Sequence, residues 1–208
     1  MLKELFKKFT DLVYVNFLWL LASFFGLLVT FGAATTAMFR VAAQVLKTKE
    51  PTSVFPLFIK SFKENFKEST LVWILLIILG IPLYMMYHYS LNNDLVILLV
   101  LAIFGMYEWM IFTIYVFPVI SNFKTKHIGH LIKNVLLMSN MNLWINIKLL
   151  GSLALVILLM FIHISLLLVA VGLYGVIVSY HLKKVFHPYH VQLGEIEEGN
   201  DNDGILKL

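Results

Sequence analysis

Gly32-Ala33-Ala34-Thr35-Thr36-Ala37-Met38-Phe39-Arg40-Val41-Ala42-Ala43, "GAATTAMFRVAA", follows the first long apolar run of the chain. It is built mostly of small residues, yet it carries an arginine. Read as a loop, it leaves the next charged segment on the far side of a membrane. Read as a short returning helix, it brings that segment back. The choice sets the side on which every later charge lies.

A membrane is the right frame for the question. Hydrophobic residues make up 60% of the 208 residues and charged residues 13%, and the mean hydropathy is +0.87. Soluble domains run near 45–50% apolar and about 25% charged. The chain therefore reads as an all-α integral membrane protein, one helical unit over residues 1–182 with a polar tail over 183–208. The absence of cysteine excludes disulfides and cysteine metal sites. The net charge of +4 comes from lysines beside apolar runs. Contact with lipid headgroups explains them more simply than nucleic acid does. The N-terminal lysines before an apolar run look like a signal peptide, but the run is long enough to be a span.

The apolar runs place spans at about 12–29, 70–88 and 95–120. The tract from Leu143 to Tyr180 is too long for one crossing and divides near His163 into 143–161 and 164–180. Between them, Phe55, Phe58, Phe62 and Phe66 recur at helical spacing with Lys60, Lys63, Glu64, Lys67 and Glu68 between. This is the pattern of an amphipathic helix lying in the cytoplasmic interface, capped by Thr52 or Ser53.

Lys and Arg near span ends mark the cytoplasmic side. From Lys47 onward the lysine-rich and lysine-free connections alternate. The N-terminal lysines Lys3, Lys7 and Lys8 join that alternation only if the chain crosses twice before Lys47. The opening stretch then becomes a span at about 31–46. The expected fold is a bundle of six spans, with five as the alternative, and with both termini cytoplasmic in a bacterial plasma membrane. Gly32/Thr36 and Ala33/Ala37 form small-xxx-small pairs that let helices approach closely.

These residues also carry a resemblance. Asn16-Phe17-Leu18-Trp19-Leu20-Leu21, then Thr30-Phe31-Gly32-Ala33-Ala34-Thr35-Thr36-Ala37, and then Phe62-Lys63-Glu64-Asn65-Phe66 resemble the YesL-like family of small bacterial membrane proteins. The family's proline after the glycine is replaced by Ala33. The resemblance implies a role beside carbohydrate uptake and supplies no catalytic residues.

Glu108 is the residue most able to carry chemistry, because a carboxylate at membrane depth is costly unless paired, protonated or facing water. It pairs with Arg40, or stays protonated, or binds a proton or substrate, or a shifted helix register puts it near an interface; Gly105 beside it permits close backbone approach. Asn16 is placed to bond across the bundle. Asn142, Asn146 and Lys148, at the start of the fifth span, read as headgroup contacts or the rim of a polar cavity. His127/His130 and His187/His190 are each incomplete as metal sites. No metal, cofactor or reaction motif is expected, so the chain is read as non-enzymatic. The functional expectation is an accessory protein bound to lipid and to a transporter or other membrane protein. The alternative is a small secondary transporter working through Glu108.

Overall fold

The computed structural model describes residues 2–26, 29–47, 53–124, 127–163 and 166–197. Seven helices follow in chain order: α1 (Leu2–Phe25), α2 (Phe31–Lys47), α3 (Val54–Asn92), α4 (Val96–Asn122), α5 (Ile128–Asn140), α6 (Leu143–Ile162) and α7 (Leu167–Glu197). Five of them are long and apolar enough to cross a membrane: α1, α3, α4, α6 and α7. The protein is a multi-pass membrane protein.

The expected six-span bundle is corrected to five. The opening stretch is a helix, α2, but its 17 residues extend roughly 25 Å, short of the roughly 30 Å hydrocarbon core. It is solvated by protein instead of lipid. Ala33, Ala34, Ala37, Val41 and Ala42 are fully buried, and α2 packs on α1, α3, α4 and α7. Small side chains lower the helix's apolarity and at the same time let four neighbours close around it. The assignment of both termini to the cytoplasm rested on the sixth crossing and loses that support.

The separate interfacial helix is also corrected. Phe55–Phe66 form the first turns of α3, a single helix of 39 residues. No Gly or Pro separates the amphipathic segment from the apolar run, so the backbone ladder continues through Lys67-Glu68-Ser69-Thr70. Phe58 is buried and stacks on Phe62, while Phe55 and Phe66 stay exposed. Ser53 precedes α3 without a side-chain cap, and Thr52 lies outside the described residues. At the other end of the chain, α7 runs to Glu197, where a polar tail was expected from 183; residues 198–208 lie outside the described part.

Polar side chains clip the helices together. Asn16 on α1 is fully buried; its amide donates to the Leu167 carbonyl at 2.8 Å and its oxygen accepts from the Gly172 N–H at 3.0 Å. Trp19 Nε1 donates to Thr35 Oγ1 at 3.0 Å, joining α1 to α2. The Thr36 and Ser69 hydroxyls pair at 2.8 Å, joining α2 to α3. Trp109 Nε1 donates to the Leu76 carbonyl at 2.8 Å, joining α3 to α4. Such bonds are worth about 0.6 kcal/mol each on average in membranes. Asn16→Ala removes two at once and is expected to cost about 1 kcal/mol, read as a lower thermal midpoint in detergent.

Gly32 and Gly172 set the closest approaches. A Cβ on Gly32 would meet the Ser69 carbonyl and Trp73; one on Gly172 would stand 2.8 Å from the Leu12 carbonyl. The small-residue face therefore meets this protein's own helices.

Candidate functional site

The structure does not bring Arg40 and Glu108 together. Arg40 donates from a guanidinium nitrogen to the Ser121 carbonyl at 3.1 Å, in the last turn of α4. A cation there satisfies a carbonyl of the helix end and complements the helix dipole. Glu108 lies on the same helix, roughly 20 Å back along its axis. The expected pair is thus replaced by two separate contacts, Arg40 with the end of α4 and Glu108 with α5.

Glu108 is half-buried. Its Oε2 accepts from Asn140 Nδ2 at 3.4 Å, a long contact at the limit of a hydrogen bond. Asn140 is the last residue of α5, and its amide also donates to the Leu136 carbonyl at 3.0 Å. The helix α5 runs back along α4 and ends beside the carboxylate.

Around Glu108 the walls are apolar. A groove of about 450 Å³ lies between α3, α4 and α5, with Leu76 and Leu79 on α3, Trp109 and Phe112 on α4, and Leu136 on α5. Gly105 faces Leu83: a Cβ there would come within 2.8 Å of Leu83 Cδ2, so the missing side chain lets Leu83 close against α4. The bond from Trp109 to Leu76 fixes the indole in the groove wall.

A second polar cluster holds α4, α5 and α6. Asn146 is buried; its oxygen accepts from the Tyr115 hydroxyl at 2.8 Å, and its amide donates to the Ser139 carbonyl at 2.9 Å and the Tyr107 hydroxyl at 3.5 Å. This overturns the reading of Asn146 as a headgroup contact. Lys148, by contrast, is exposed and sits 5.6 Å from the Trp144 ring, as a residue at the membrane surface does. Among the described residues, three buried side-chain oxygens have no partner: those of Ser23, Thr70 and Tyr174. No cluster of three metal-ligating side chains forms among those residues.

Residues 12–87, which comprise most of α1, all of α2 and most of α3, match the family described as "Protein of unknown function, DUF624". Over those residues the chain is homologous to the DUF624 family. It is also 32% identical over 117 residues to "Uncharacterized protein YesL" of Bacillus subtilis (strain 168), an alignment covering 55% of this chain and 56% of that protein. The chain thus spans about half the length of that relative. No solved structure matches. The DUF624 match bears out the resemblance read from the Asn16–Trp19 and Gly32–Ala37 residues. It takes in the α3 wall of the groove as far as Leu83 and stops before Glu108.

Proposed function

We propose that this DUF624 homologue is a non-catalytic accessory protein of the bacterial plasma membrane that binds another integral membrane protein, and that its partner belongs to carbohydrate uptake. The partner class rests on the family resemblance alone. The observation that carries the accessory reading is the α3–α4 hairpin. Its proximal half is locked into the bundle through Val72, Leu76, Ile111 and Tyr115. Between Ile77 and Phe104, only Ser90 and Ala102 are buried. That distal half presents Ile78, Met85, Ile97 and Phe104 outward, a long apolar surface beyond the cover of the other helices. Contiguous exposed apolar surface of this kind suits lipid or a partner's helices.

The transporter reading asks for a polar path through the bundle. The buried amides of Asn16 and Asn146 are instead occupied in helix clips, and the walls beside Glu108 are apolar. This favours binding over transport.

A photo-crosslinking residue at Ile97, in cells expressing a candidate carbohydrate transporter, tests the proposal. We expect one discrete crosslinked membrane protein, absent when the same residue replaces Phe17 on α1. Crosslinks to lipid alone, with the transporter present and the protein folded, would sink the accessory reading.

A further inference from the structure

We infer that the groove between α3, α4 and α5 is a binding site for a single-chain amphiphile with an amine head, its alkyl chain lying against Leu76, Leu79 and Leu136 and its ammonium meeting Glu108. Three observations carry this inference. The first is chemistry. Glu108 is the one charged side chain among the described residues that line the groove, and an ionised carboxylate against apolar walls needs a partner. Among the described residues, the contact it has is the neutral Asn140 amide at 3.4 Å. A carboxylate has room for about four hydrogen bonds, so an ammonium supplies both the missing charge and the missing donors.

The second is size. Between Val72 and Leu83 the α3 wall runs roughly 16 Å, and the groove holds about 450 Å³. A narrow apolar trough of that length matches a single extended alkyl chain lying along α3.

The third is construction. Gly105 allows Leu83 to close against α4, and Trp109 is pinned by its bond to Leu76. The carboxylate thus stands in a formed apolar wall, whereas an ordinary lipid-facing surface would carry none. Because the site is read on the purified protein alone, its failure leaves the accessory reading untouched.

Trp109 lines the groove and is a built-in reporter. Brominated dodecylamine, dodecanol and dodecanoate are titrated at equal mole fractions into nanodiscs holding the full chain. The quenching that disappears in Trp109→Phe reports occupancy. The amine chain is expected to act at about one-tenth the mole fraction of the others, the scale of a charge-assisted hydrogen bond. Glu108→Gln should bring it level with the alcohol. Leu136→Phe, which narrows the groove and keeps the carboxylate, should weaken all three. Equal quenching by the three chains overturns the proposal, as does an amine preference that survives in Glu108→Gln. Protection of the groove by another protein's helix, with no chain binding, overturns it too.

Discussion

Gly32→Ala is expected to destabilise the protein by about 1–3 kcal/mol, the cost of overpacking a tight contact. The added methyl would collide with the Ser69 carbonyl and Trp73. The carbonyl belongs to the α3 ladder and cannot turn aside, so α2 must lift away from α3. That movement would also stretch the Thr36–Ser69 pair of 2.8 Å. Gly151→Ala on α6 is the internal comparison, since a Cβ there meets nothing within 4 Å. It should be neutral, or stabilising by about 0.5–1 kcal/mol, because alanine loses less backbone entropy in a helix. Thermal unfolding in one detergent, monitored by helical circular dichroism, measures both. Equal shifts for the two would refute the close α2–α3 contact.

Asn146→Leu is expected to cost about 2 kcal/mol, the scale of leaving buried polar groups unpaired. Leucine restores none of the three bonds, and the Tyr115 hydroxyl and Ser139 carbonyl would remain in an apolar interior. Because one amide joins α4, α5 and α6, the loss should loosen α5 first, and with it Asn140 beside Glu108. A double-mutant cycle with Tyr115→Phe isolates the α4–α6 bond. We expect a coupling of about 0.6–1.7 kcal/mol, from the average to the largest found by such cycles between membrane helices. Strict additivity of the two substitutions would show that the bond contributes nothing.

The two substitutions probe features of unequal visibility in the sequence. Gly32 stands in a small-residue spacing that announces close packing, so its importance was legible; which helix it approaches was not. Asn146 begins a span, where local reasoning favours headgroup contact. Its burial follows from α5 folding back beneath α4, a path set by contacts far apart in the chain. Asn140 and Trp109 escaped notice for the same reason. Neither belongs to a motif, and each gains its role only from a neighbour more than thirty positions away in the chain. Glu108 was visible as an isolated charge in an apolar run, but pairing it with Arg40 assumed that two unmatched charges in lipid must find each other. Arg40 instead meets the Ser121 carbonyl in the last turn of α4, a kind of partner present in every helix and therefore invisible as a sequence feature.

The sequence alone determined that the chain is a helical membrane protein and where most of its apolar helices run. Hydropathy and helical period are properties of contiguous residues and need no knowledge of neighbours. It also held the family signature, in residues 12–87. Only the tertiary structure decided that α2 is a short helix enclosed by protein, that the amphipathic segment continues into the second apolar run, and that Glu108 faces a groove. A side chain's free energy in a membrane depends on whether lipid, water or another helix surrounds it. The chain's own order does not contain that surrounding; the packing of α2, α3, α4 and α5 creates it.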